Sequence, residues 1–145
     1  TDPFRDVPAL ADVAERALRS GRLGEAREAC GRLPPLLAPL PAHHSLQLEA
    51  LRAEALLARR GGDVSSAAGR VRSFLAAIEE SDVPWRPAKL RGAADLLVLL
   101  GANDEAERAY EKALALLQKD PESPERGLAL RGLARLCMAR GNLPG

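Results

Sequence analysis

The sequence predicts an all-α fold built from antiparallel helix hairpins, and three observations lead to this prediction. Apolar residues recur at three- and four-residue spacing in seven separate stretches, with no sustained alternation. Hydrophobic residues make up 46% of the 145 residues but aromatic residues only 3%, so the core depends on Ala, Leu and Val. Short segments that contain a glycine recur about every forty residues.

The recurring glycines set the register of the chain. Gly21, Gly62, Gly101 and Gly141 follow one another at 41, 39 and 40 residues. Each glycine comes after an apolar-periodic stretch, where a helix commonly ends in a left-handed residue. We therefore expect one helix before each glycine and a second helix after each of the first three.

The helix boundaries follow from this register and from the capping residues. Asp63 and Asn103 are expected to cap the helices that follow them, and Ser123-Pro124-Glu125 is a typical helix start. Pro34-Pro35 should end or kink the second helix early. The expected helix pairs are 6–20/23–38, 43–61/63–80 and 86–101/103–119, followed by a single helix at 122–140.

These residues resemble the tetratricopeptide repeat (TPR) family. The clearest match is Leu100-Gly101-Ala102-Asn103-Asp104-Glu105-Ala106-Glu107-Arg108-Ala109-Tyr110, which is similar to the family's turn and second helix. The spacing of about forty residues is closer to the family's long-repeat members than to its standard 34-residue unit. The resemblance implies a right-handed α-solenoid of about seven helices in one domain over 1–145. Its repeats would cover 6–41, 43–82 and 86–120, with a half repeat at 122–145.

The resemblance also implies a binding surface. In this family the first helices line the concave face, so equivalent positions stack across repeats. Arg52, Arg91 and Arg131 each lie ten residues before their turn glycine, and Arg59 and Arg135 are expected further along the same face. We expect these arginines to bind an acidic segment of a partner protein. The alternatives are a solvated arginine face with no ligand, and a structural, regulatory or oligomerisation role within a larger signalling ATPase or transcription activator.

Composition and motifs argue against other classes of function. The net charge of +1 indicates neither nucleic acid nor membrane as a partner, and no stretch is long enough to span a bilayer. Cys30, Cys137 and the adjacent His43-His44 fit no metal spacing. We expect no catalytic residues, no metal and no cofactor, so the chain is predicted not to be an enzyme. A cytoplasmic location is expected. Because the chain begins at Thr1, we also expect it to be part of a longer protein.

The fourth unit has a first helix but no second one. Leu130, Leu133, Leu136 and Met138 are therefore expected to need cover. Self-association through this C-terminal helix, or a terminus that folds back over it, is expected to provide this cover. Trp85, in the connection between the second and third repeats, is expected to pack over the seam between them.

Overall fold

The computed structural model describes residues 2–80 and 85–141, and within them it is helical without a strand. Residue 1, residues 81–84 and residues 142–145 lie outside the described part. The expected ends of the second repeat and of the half repeat fall there. The helices are α1 (Pro3–Arg19), α2 (Leu23–Gly31), α3 (Leu33–Leu37), α4 (Ser45–Gly61), α5 (Val64–Glu80), α6 (Arg86–Leu99), α7 (Asn103–Leu116) and α8 (Pro124–Ala139).

The eight helices of the described residues match the seven expected stretches, with one of them divided. The stretch expected at 23–38 is split into α2 and α3 at Arg32. Pro34 and Pro35 have no N–H to donate to the preceding turn, and proline is favoured in the first turn of a helix. The chain therefore ends α2 and begins a new five-residue helix with these prolines near its start.

Three of the four register glycines adopt the left-handed backbone expected of them. Gly21, Gly101 and Gly141 have φ values of +74°, +83° and +74°. At the first, the Arg22 N–H donates to the Ala17 carbonyl at 2.8 Å, which is the closing bond of a Schellman turn. Gly62 differs: its backbone is extended at φ −106°, and α4 continues through Gly61.

The helix starts agree with the sequence in part. The Asp63 carboxylate accepts from both the Ser66 N–H and the Ser66 hydroxyl, so Asp63 caps α5 as expected. Asn103 is instead the first residue of α7, and Ala102 occupies the cap position without a side-chain bond. His44 caps α4 through Nδ1, which accepts from the Leu46 N–H at 3.0 Å.

The helices pack in a repeating order along the chain. A first helix is one that ends at Gly21, Gly62, Gly101 or Gly141, and a second helix is one that follows such a glycine. The first helices α1, α4, α6 and α8 contact one another in sequence, and each second helix packs against its own first helix and the next one. Second helices bury residues at four equivalent positions, which are Ala26, Cys30, Leu33 and Leu37; Ala67, Val71, Phe74 and Ile78; and Ala106, Tyr110, Ala113 and Leu117.

Two expectations about buried residues are wrong. Trp85 does not cover the seam between repeats, because it is 77% exposed and has a left-handed φ of 62°. Leu136 does not need cover, because it is already buried against the core cluster that includes Tyr110. Leu130 and Met138 do remain exposed on α8. Cys30 is buried, whereas Cys137 is only half-buried.

Candidate groove along the first helices

A groove runs along α4, α6 and α8 and brings three of the five predicted arginines together. Its cavity has a volume of about 610 Å³. Arg52 enters it from α4, Arg91 from α6 and Arg135 from α8. The remaining lining residues are mostly apolar and include Leu48, Leu56, Leu96, Val98 and Leu99. The groove can therefore hold an apolar chain segment and place charged groups against its rim.

Arg91, at the centre of the groove, already has carboxylate partners. Its Nε and Nη2 donate to the two oxygens of Glu125 at 2.9 and 3.2 Å, and its Nη1 donates to Asp95 at 2.9 Å. The bond to Glu125 is the main cause that raises the pKa of Arg91 above its usual value. Because the side chain is only about a quarter exposed, this two-pronged pair links α6 to α8 in partial shelter from water.

Arg52 is paired as well. Its Nε donates to Glu15 of α1 at 3.0 Å, and the Arg52 side chain is 68% exposed. An exposed pair of this kind is worth about 0–1 kcal/mol, so a competing carboxylate can displace it at low cost. The groove therefore carries less free positive charge than the sequence positions of Arg52 and Arg91 imply.

The other three predicted arginines lie in different places. Arg135 is exposed in the groove and makes no ion pair within the described residues. Arg59 lines a neighbouring hollow of about 670 Å³ together with Arg52, Arg19 and Arg60. Arg131 is exposed on α8 but is absent from the lining of either cavity.

The floor of the groove contains a polar contact that sequence reasoning missed. The Tyr110 hydroxyl reaches through from α7 and donates to Asp95 of α6. Burial raises the pKa of Tyr110 above its usual value, and the bond to Asp95 adds to this. Tyr110 fits there because Gly132 has no side chain: a Cβ on Gly132 would lie 2.3 Å from Tyr110 Cζ. The sequence did indicate that Asp95 faces the groove, because it lies four residues after Arg91 and therefore on the same face of α6.

A second cavity, of about 410 Å³, lies where α3, α4 and α5 meet. Its walls include Leu37, Leu51 and Phe74, and Glu54 reaches it from α4. Arg70 Nη2 lies 2.8 Å from Glu54 Oε2, close enough for an ion pair, but the geometry forms no hydrogen bond to that buried oxygen. Burial raises the pKa of Glu54, partly offset by Arg70.

The described residues contain no cluster of three or more His, Cys, Asp or Glu side chains placed to bind a metal. Over the same residues, none of the helices combines the length and the apolarity that crossing a membrane requires.

Comparison with known proteins gives no relative. The chain matches no family model, no curated protein and no solved structure.

Proposed function

We propose that this chain is a TPR-like right-handed α-solenoid that binds an acidic segment of a partner protein in the groove along α4, α6 and α8. The observation that carries the proposal is the lining of the cavity, in which Arg52, Arg91 and Arg135 lie among mostly apolar residues, with Glu49 and Asp95 as its acidic members. A chain segment with alternating apolar and acidic side chains matches this arrangement.

The solenoid part of the proposal rests on the repeated packing. First helices contact first helices, and second helices bury the same four register positions in every hairpin. Stacked repeats of this kind depend only on contacts between neighbours, and they place equivalent residues along one face.

The ion pairs already present define how a partner would be recognised. Arg135 is the arginine of the groove without an ion pair in the described part, so it would take the first carboxylate of a partner. Arg52 would exchange its exposed bond to Glu15 for a second carboxylate. Arg91 would stay bound to Glu125 and Asp95 and would hold α6 and α8 at a fixed spacing.

The test uses a fluorescent peptide of alternating Leu and Glu, with a Leu and Lys peptide as its charge control. Arg135→Glu should weaken binding of the acidic peptide about fivefold, since an exposed ion pair is worth up to about 1 kcal/mol. Arg27→Glu is the matched control, because Arg27 is an exposed arginine of α2 outside the groove. Binding should also weaken with added salt.

Equal affinity for the acidic and basic peptides, or no effect of Arg135→Glu, would reject the acidic groove. The alternative function is a spacer or oligomerisation domain within a larger protein. It is favoured by exposed apolar side chains at both ends, namely Phe4 and Val13 on α1 and Leu130 and Met138 on α8.

A further inference from the structure

The cavity where α3, α4 and α5 meet has the dimensions and the lining of a small-molecule site. Its volume of about 410 Å³ lies within the range of about 300–1,000 Å³ that such sites take. The walls are mostly apolar and include Leu37 of α3, Leu51 of α4 and Phe74 of α5. This cavity shares no lining residue with the groove along α4, α6 and α8, so the two sites are separate.

The wall formed by α3 and the turn after it is fixed to α4 by one side chain. Gln47 Nε2 donates to the Leu37 carbonyl at 3.3 Å and to the Pro41 carbonyl at 3.4 Å. Leu37, Leu51 and Phe74 are themselves buried. The cavity is therefore formed before a ligand enters it, and binding does not have to order its walls.

Glu54 is the polar group that distinguishes this cavity. Its side chain is only 9% exposed, and among the described residues its buried Oε2 atom accepts no hydrogen bond. Burial is the main cause that raises the pKa of this carboxyl group. A buried carboxylate oxygen without a donor is unfavourable, so a ligand that brings a donor to it is stabilised there.

The fold itself does not require a carboxyl group at this position. Counted from the turn glycine, Glu54 of α4 corresponds to Val13, Ala93 and Leu133 of the other first helices, and all three are apolar. In α6 the small Ala93 is fully buried there. Glu54 is therefore a departure from the repeat pattern that costs stability, which is typical of a residue kept for binding.

Arg70 neutralises Glu54 only loosely. Its Nη2 lies 2.8 Å from Glu54 Oε2 without the geometry of a hydrogen bond, and the Arg70 side chain is 54% exposed. An exposed arginine can turn into solvent at low cost. A ligand cation can therefore take its place beside the carboxylate.

We propose that this cavity binds a small organic amine, with its ammonium group on the Glu54 carboxylate and its apolar body between Leu37, Leu51 and Phe74. Charge complementarity selects this class of ligand. An ammonium group forms a charge-assisted hydrogen bond, which is about twice as strong as a neutral one. An anion would be repelled by Glu54, and a purely apolar molecule would leave Oε2 without a donor.

The probe is phenethylamine, and phenethyl alcohol is the control ligand of similar size without the charge. Both are titrated into the full chain at pH 8, where an alkyl amine is still protonated. We expect a Kd on the order of 1 mM or tighter for the amine. The backbone amide NMR signals of Leu51 and Phe74 should shift on binding. The alcohol should bind at least about tenfold more weakly.

Two substitutions test the charge. Glu54→Gln should weaken binding of the amine at least about tenfold and change binding of the alcohol less than about twofold. Glu28→Gln is the matched control, because Glu28 is an exposed glutamate of α2 outside the cavity. Arg70→Ala should strengthen binding of the amine at least about threefold, because the ammonium group no longer has to displace a guanidinium group.

A third substitution tests the location without changing a charge. Ser73 is exposed on α5 and lines the cavity, so Ser73→Trp should obstruct it and weaken binding of both ligands at least about fivefold. Ser65→Trp on the same helix lies outside the cavity and is the matched control. Circular dichroism of each variant checks that the fold is retained.

Three outcomes would overturn the proposal. Equal affinity for the amine and the alcohol, or an amine affinity that Glu54→Gln leaves unchanged, would mean that the carboxylate does not select the ligand. NMR shifts that appear away from Leu51 and Phe74 would place the amine elsewhere. Weaker amine binding in Arg70→Ala would show that the ammonium group does not replace Arg70 beside Glu54.

Discussion

The first and third junctions between repeats are packed in different ways. At the first junction, where α4 follows α1–α3, a cavity of about 410 Å³ lined by α3, α4 and α5 lies beside the buried Glu54. At the third, where α8 follows α6 and α7, the ring of Tyr110 fills the space against Gly132 and bonds to Asp95. The repeat register determines which positions are buried, whereas the residues at those positions determine whether the junction is tight or hollow.

The largest expected effect is at the tight junction. In Gly132→Ala the new Cβ would lie 2.3 Å from Tyr110 Cζ, and neither the ring nor α8 can move away freely. We expect a net loss of about 2 kcal/mol in the free energy of unfolding, measured by urea denaturation. Gly127→Ala on the same helix meets nothing within 4 Å and should be neutral or stabilising by up to about 1 kcal/mol. Equal effects of the two substitutions would contradict tight packing at Tyr110.

At the first junction, beside the 410 Å³ cavity, we expect a substitution of Glu54 to raise the free energy of unfolding rather than lower it. Replacing Glu54 by Met removes a buried carboxylate, while the partner Arg70 is 54% exposed and can be solvated. We expect Glu54→Met to stabilise the fold by about 1 kcal/mol at pH 7. Glu54→Gln separates the effect of the charge from that of polarity.

The pH dependence of the free energy of unfolding provides a second test of the buried Glu54 carboxylate. Because burial raises its pKa in the folded state, the folded chain holds this proton more tightly than the unfolded chain. Wild-type stability should therefore decrease as pH rises from the unfolded pKa through the raised folded pKa. The advantage of Glu54→Met should disappear as pH falls below this window. A difference that does not change with pH would show that Glu54 carries no penalty for its charge.

The smallest effect is expected at the junction between α4 and α6. Gly92 has the same register position as Gly132, but a Cβ there would meet the end of the Leu48 side chain at 2.8 Å. Because Leu48 is half-buried and can change rotamer, Gly92→Ala should change stability by no more than about 0.5 kcal/mol. A loss as large as that of Gly132→Ala would mean that Leu48 is as tightly confined as Tyr110.

The sequence by itself determined the features that depend on neighbouring residues. Three-four periodicity gave the helices, the left-handed turns at Gly21, Gly101 and Gly141 followed from glycine's freedom at positive φ, and Pro34-Pro35 predicted the early break. These features depend on interactions within a few residues, which a linear pattern records.

Only the tertiary structure decided the state of the candidate site. The partners of Arg52 and Arg91 across helices are Glu15 and Glu125, 37 and 34 residues away in the chain. Equivalence in the repeat register predicted that Arg52, Arg91 and Arg131 would share one groove, and only Arg52 and Arg91 line it. The register also could not tell which carboxylates lie within reach of them. That depends on how the helices stack and on the direction of each long side chain, which is why the groove has fewer unpaired charges than its sequence positions suggest.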